Sequence, residues 1–399
     1  MPGHYLFFVR DSLPQPAAHL IQTVQCANAA ATLGYTTQLA YVDRGPTAWQ
    51  PWRWVNPQPR PVDKDFARFF NIQHRLELLP LAMPWPIDRV QHRLTNASTL
   101  ACKYYWPLHL ADRTALVHTR DWNFAKAALN RGVPVVFECH HHTDQPFEPA
   151  LATHPLLQAV VTVIDTVRES IIRNGVPEKK VITVPNGFNA QFLARHPAAA
   201  QAWRDHLLSQ RFTQLVVYAG ALHEFKGVDL LLEIAPQFPQ VVFALAGGPV
   251  GRQDYYRDRI AALDLNNVAL LGFLEQQDLA HLLQAANVLA HPHREGQAAT
   301  FTSPLKLFDY LASGTPVVAT RIPSLEHWPL AGQIAAWCDP EPQAFADALG
   351  RVLAAYPRPT EGFTPDYQAL QPHSWEARIE TILAHVSAQY RPQLPVEMP

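Results

Sequence analysis

The sequence predicts an α/β protein of two doubly wound, Rossmann-like parallel-sheet domains, and three observations carry that expectation. Short apolar runs recur along the 399 residues, and they are continuous, not alternating. A strand that is apolar at every position is covered on both faces, as in a parallel sheet between helical layers. The segments between the runs have helical spacing; in Ala18 to Leu33, Leu20, Val24, Ala27 and Ala31 share one stripe, as in a crossover helix. The series also stops and restarts. The stretch "FLARHPAAAQAWRDHLLSQRFTQ", from Phe192 to Gln214, is polar and Ala-rich and precedes a fresh series.

In chain order the first series reads "HYLFFV" from His4, "TTQLAYV" from Thr36, "ALVHT" from Ala115, "PVVFEC" from Pro134, "AVVTVI" from Ala159 and "VITVP" from Val181. The second reads "LVVYAG" from Leu215, "VVFALAGG" from Val241, "VALLGF" from Val268, "NVLAHP" from Asn287, "PVVAT" from Pro316 and "IAAWC" from Ile334. The expected domains are residues 1–192 and 193–370, with a closing helical segment at 371–392. Pro46 to Pro107 breaks the pattern, being rich in Trp, Pro and Arg. It reads as an irregular insertion with its own aromatic packing, or as an acceptor-binding or membrane-surface element.

Composition narrows the function classes. A net charge of -2 argues against general nucleic-acid binding, which needs a basic face. Cys26, Cys102, Cys139 and Cys338 are scattered without C-x-x-C spacing and read as reduced thiols. The start "MPGHYLFFVRD" has too short an apolar run for a secretory leader, and no run is long enough to span a membrane. A cytoplasmic protein is expected, with contact at the inner membrane face open to the insertion.

Parallel α/β domains bind ligands at the carboxyl ends of their strands. After the first strand of the second domain comes "YAGALHEFKGVDLLLEIA". Gly220 permits close approach to the backbone, and Lys226 stands just before a helix start, where a phosphate would be favoured. In "TSPLKLFDYLASGTPVVAT", Ser303 suits an N-cap, Pro304 the first helical position and Gly314 the carboxyl cap. The predicted helix runs from Pro304 to Ser313, with free amides near Leu305 and Lys306. Asp309 would accept hydrogen bonds from vicinal hydroxyls, as on a ribose.

These residues resemble the retaining GT-B glycosyltransferases of family four over nearly the whole chain. The resemblance is carried by "PNGFNAQF" at Pro185, "YAGALHEFKGVDLLL" at Tyr218, "LGFLEQQDLAHLLQAANVLAHP" at Leu271 and "SPLKLFDYLASGTPVVAT" at Ser303. In the first half, "LPQPAAHLIQTVQCANAAATLGY" is similar to the opening βα unit and "HTRDWNFAKAALNRGVPVVFECH" to the later one. "SWEARIETILAHV" resembles the helix that closes back on the first domain.

The resemblance implies a nucleotide diphosphate sugar as donor and no metal. It assigns Lys226 to the pyrophosphate, with Gly220 admitting that group, and Gly272, Phe273 and Leu274 to the base. Ser303, Pro304, Leu305 and Lys306 would offer amides to the phosphates or sugar, Asp309 would hold the ribose, and His140 would touch the transferred sugar. The catalytic pair is thus His140 and Lys226. The acceptor, a glycan, a lipid-linked sugar or a small metabolite, is left open. Three departures stand out. Ala221 replaces a frequent arginine, Phe301 replaces the first of two glutamates, and Asp309 is shorter than the second. Arg120, Arg294 and Lys306 are candidates for the missing positive charge. These departures also support an alternative reading, a catalytically silent GT-B protein that acts as a binding partner.

Overall fold

The computed structural model describes residues 3–72, 75–83, 96–248, 250–294, 296, 305–325 and 328–394. The chain forms two compact units, one comprising Met1–Asn186 with Trp375–Pro399 and the other Gly187–Ser374.

Unit 1 is built on an eight-stranded sheet among the described residues. Its strands are β1 (His4–Val9), β2 (Thr37–Asp43), β3 (Arg60–Pro61), β4 (Glu77–Ala82), β5 (Thr114–Thr119), β6 (Val135–Glu138), β7 (Leu157–Thr162) and β8 (Val181–Thr183). Their spatial order is β3-β4-β2-β1-β5-β6-β7-β8. All neighbours are parallel except β3, which runs antiparallel on β4. The chain reverses direction across the sheet between β1 and β5, which makes their carboxyl ends the switch point where ligands sit. Every residue from Tyr5 to Val9 is buried, in keeping with a strand covered on both faces.

The region expected as an irregular insertion contains an inner strand. β4, "ELLPLA", pairs with β2 along its whole length. Pro80 argues against a strand in the sequence because it cannot donate to a ladder. Here its other neighbour, β3, pairs only with Glu77 and Leu78, so the missing N–H at Pro80 leaves no ladder bond unmade. The short helix Pro51–Val55 precedes both strands, held by Arg53 to Asp43 and by the Trp54 indole to the Ala48 carbonyl. Asp63-Lys64-Asp65, the spacing of a metal-binding carboxylate pair, serves the helix Lys64–Phe70: Asp63 accepts from the Phe66 N–H as its N-cap. No helix among the described residues is long and apolar enough to cross a membrane.

Unit 2 has a six-stranded parallel sheet among the described residues: β9 (Gln214–Ala219), β10 (Val241–Ala246), β11 (Val268–Gly272), β12 (Val288–His291), β13 (Val317–Thr320) and β14 (Ala336–Cys338). The order is β11-β10-β9-β12-β13-β14, so the switch point lies between β9 and β12. Leu215, Val217 and Ala219 of β9 face one apolar layer, and Val216 and Tyr218 face the other. The helix predicted from Pro304 is described from Leu305 to Ser313, and Gly314 follows it at φ +79, as the carboxyl cap requires. A side chain at Gly314 would press on the backbone of Thr364 and Pro365.

Candidate functional site

Each switch point gathers a cluster of polar side chains. In unit 1, His118 and Thr119 end β5, Glu138 ends β6, and Arg120 and His140 follow them. Glu138 and His140 are two apart on extended chain, so they project to one side. Glu138 is buried at 2% exposure, and it accepts five hydrogen bonds. His118 Nε2 lies 2.7 Å from Oε1 and His140 Nε2 2.6 Å from Oε2. Gln22 Nε2 donates to Oε2 at 2.7 Å. Arg378, from the helix Trp375–Ala384, completes the set at 2.8 Å and 3.2 Å.

Burial opposes the charge of Glu138, but Arg378 and the two imidazoles outweigh it and hold the carboxyl well below its usual range. Burial, then Arg120 nearby, push His140 down to about 4, so its ring is neutral at physiological pH. An ionised carboxylate only accepts, so His140 carries its proton on Nε2 and leaves Nδ1 as an acceptor. Beyond Arg378, the Tyr5 hydroxyl lies 2.8 Å from His118 Nδ1 and extends the network to β1.

In unit 2 the strand ends bring Gly220, Lys226, Lys306, His291 and His293 together. Gly220 sits at φ +145 directly after β9, and a Cβ there would lie 3.5 Å from Lys306 Nζ. Lys226 closes the turn Glu224–Lys226, and Gly227, at φ +70, starts the helix Val228–Ile234. A side chain at Gly227 would collide with the Pro292 carbonyl, so the lysine turn is pressed onto the loop after β12. Lys226 Nζ stands 3.4 Å from His293 Nε2, and His293 Nδ1 is 3.0 Å from the Arg294 carbonyl. Nδ1 therefore donates to the carbonyl, and Nε2 is the acceptor for Lys226.

Burial pushes Lys226 down to about 8. Burial and then Lys226 push His293 down to about 4, and burial with Lys226 holds Lys306 well below the usual lysine range. Among the described residues neither lysine is paired with a carboxylate. Asp309 is one turn along the helix from Lys306, and burial pushes its carboxyl up to about 7 against a 3.5 Å contact from the Asn189 N–H. That contact brings the "PNGFNAQF" segment onto the helix that carries Asp309.

Gly272 ends β11 at φ +74, and its carbonyl accepts from the Gly247 N–H at 2.6 Å. Phe273 beside it is exposed and Leu274 is half-buried. Leu305 is the first described residue of its helix, while Ser303, Pro304 and Phe301 lie outside the described residues. His140 belongs to unit 1 and the other described site residues to unit 2. Sequence reasoning missed Arg378 as the partner of Glu138. It also missed the histidine pair in "HPHR", whose spacing of two after a strand was the available signal.

Comparison with known proteins fits this geometry. Residues 213–355 match the family model of glycosyl transferases group 1, and residues 22–192 match that of glycosyltransferase family 4. A D-inositol 3-phosphate glycosyltransferase of Mycolicibacterium gilvum is 30% identical over 177 residues, 43% of this chain and 38% of that protein. The chain thus matches less than two fifths of that relative's length. Anabaena HepE in complex with UDP and glucose has a TM-score of 0.62 at 18% identity, covering 96% of this chain and 98% of that one. Sucrose-phosphate synthase from Thermosynechococcus elongatus has a TM-score of 0.65 at 17% identity, with 96% and 98% covered. At such identities the likeness concerns the fold. Two family models that between them take in most of the chain, on a fold shared along nearly all of it, make this chain a member of the GT-B glycosyltransferases of group 1, family 4.

Proposed function

We propose that the chain transfers a glycosyl group from a nucleotide diphosphate sugar to an acceptor hydroxyl, with retention at the anomeric carbon and without a metal. The observation that carries this reading is the pair Lys226 and Lys306 beside Gly220, at the sheet switch point of unit 2, which meets no carboxylate among the described residues. Desolvated ammonium groups with no counter-ion are costly to hold unless an anion joins them. A diphosphate supplies that anion, and Asp309, on the same helix as Lys306, is assigned to the ribose.

When the bond from the anomeric carbon to the leaving phosphate oxygen breaks, the electron pair stays on that oxygen. Lys226 is positioned to stabilise the growing charge. The acceptor hydroxyl attacks from the side the phosphate leaves, and its proton passes to a leaving phosphate oxygen. No protein nucleophile takes part. Glu138, the carboxylate next to His140, already accepts five hydrogen bonds and is held ionised by Arg378. Neutral His140, with Nδ1 as acceptor, is assigned to a hydroxyl of the transferred sugar. The glycan, lipid-linked or small-molecule acceptor is read by unit 1.

The likeness to a protein solved with UDP makes UDP-sugars the first donors to test. Incubation with UDP-glucose and an acceptor panel in EDTA should release UDP, and the product should keep the donor's anomeric configuration by NMR. An inverted product would overturn the retaining mechanism. Tight UDP binding with no transfer to any acceptor would favour the silent GT-B reading.

A further inference from the structure

We propose that the Lys306 ammonium is the second cation of the diphosphate site, replacing the arginine absent at Ala221. The inference rests on the nucleotide-sugar reading above and selects one side chain from the three that the sequence left as candidates for the missing charge. The donor's diphosphate carries charge on both phosphates, so Lys226 alone leaves one of them without a cation.

The geometry chooses among the three candidates for the missing charge. Arg294 is drawn toward Glu233 at 3.6 Å on the surface. Arg120 donates to Gln22 Oε1 at 3.3 Å and is drawn to the carboxylate of Glu138. Lys306 reaches over the end of β9, with Nζ 3.5 Å from where a Gly220 Cβ would be and 4.0 Å from the centre of the Tyr218 ring. Its helix is fastened there by Tyr310, one turn on and so on the same face. The Tyr310 hydroxyl accepts from the Ala219 N–H at 2.7 Å and donates to the Ala219 carbonyl at 3.2 Å. The Tyr218 hydroxyl donates to the Ala221 carbonyl at 2.7 Å, which fixes the loop that lacks the arginine.

A second observation points to an absent anion. His291, at the end of β12, is 0% exposed, and neither ring nitrogen has a hydrogen-bond partner among the described residues. Its ring stacks on His293 at 5.7 Å, and Lys306 and Lys226 both press on its protonation. Two ammonium groups around an unpartnered imidazole, with no carboxylate among the described residues, form a pocket of one sign. Gly220 keeps the space beside Lys306 clear of a side chain, and a Cβ there would lie in contact with the Lys306 Nζ.

The test is calorimetric titration of the full chain with uridine, UMP and UDP, using wild type, Lys306→Met, Lys226→Met and Lys306→Met with Ala221→Arg. Lys306→Met keeps the aliphatic stem over Tyr218, and its thermal midpoint checks folding. The expected result is a loss of about 10–100-fold in UDP affinity, the size of one charged hydrogen bond, with uridine affinity unchanged. Ala221→Arg should restore much of that loss. If Lys306→Met binds UDP within about threefold of wild type while Lys226→Met loses it, Lys306 is not the second cation. Equal weakening of uridine and UDP also overturns the proposal, because a strut under the whole site would do that. Wild-type protein that binds no nucleoside diphosphate, with GDP, ADP and dTDP included, removes the donor reading itself.

Discussion

The two switch points of this chain hold charge in opposite ways. In unit 1 the buried carboxylate of Glu138 is surrounded by donors, and Arg378 neutralises it. In unit 2, Lys226 and Lys306 face two neutral imidazoles and no carboxylate among the described residues. A buried group whose partners are all present stabilises the fold and fixes its neighbours. A buried charge without a counter-ion weakens the empty protein and gains when a ligand supplies the partner. The contrast separates a framework that orients His140 from a cluster that an anion would complete.

Removing one side of the complete cluster should have the largest effect. Arg378→Met leaves Glu138 charged and unpaired, at a cost of about 3–5 kcal/mol, read as a lower urea midpoint for unit 1. UDP affinity measured below that transition should hold, because the variant leaves unit 2 intact. Acid should act similarly. The carboxyl of Glu138 is depressed in the folded state, so its stabilisation is complete above the ordinary carboxylate range and is lost as pH falls through the folded value. An Arg378→Met chain as stable as wild type would mean the pair contributes nothing.

Lys226→Ala should do the reverse. Transfer should fall about 10²–10³-fold, as when a transition-state donor is removed. Stability of the empty protein should hold or rise, since a desolvated and unpaired ammonium disappears. A drop in stability comparable to that of Arg378→Met would erase the distinction between the clusters.

Nucleotide affinity should also follow pH in a bell. It rises as pH climbs through about 7, where Asp309 ionises and becomes an acceptor for ribose hydroxyls. It falls above about 8, where Lys226 loses its proton. His293, pushed to about 4, and His291, pushed well below the usual range, stay neutral throughout and contribute no step. Titration calorimetry across roughly pH 6 to 9 reads both limbs, and a flat profile would remove Asp309 and Lys226 from the contact. The smallest effect is expected at Phe273, which is 40% exposed beside the Gly272 backbone. If the base is read by main-chain groups, Phe273→Ala should move UDP affinity by no more than about 0.5 kcal/mol.

What the sequence revealed and what it concealed follow the same physics. Doubly wound sheets leave continuous apolar runs, and Gly220, Lys226, Asp309 and Gly314 sit in short ordered motifs, so the fold and the turns that carry these residues were legible. β4 was not, because Pro80 and the Trp- and Pro-rich surroundings hide a strand that tolerates proline only through its short β3 neighbour. The Glu138–Arg378 pair joins residues 240 positions apart, a distance over which local spacing says nothing. Lys306 was seen as a helix-start residue, but its reach over Gly220 depends on Tyr310 gripping Ala219 from the same helix.

The central claim is that unit 2 binds a nucleoside diphosphate at Lys226 and Asp309, and thermal unfolding of the full chain tests it most directly. UDP, GDP, ADP and dTDP would each be added in turn to wild type, Lys226→Ala and Asp309→Ala. A nucleotide at a hundredfold its dissociation constant should add about 2.7 kcal/mol to wild type and little to either variant. A folded wild-type chain whose midpoint moves with none of the four would contradict the account.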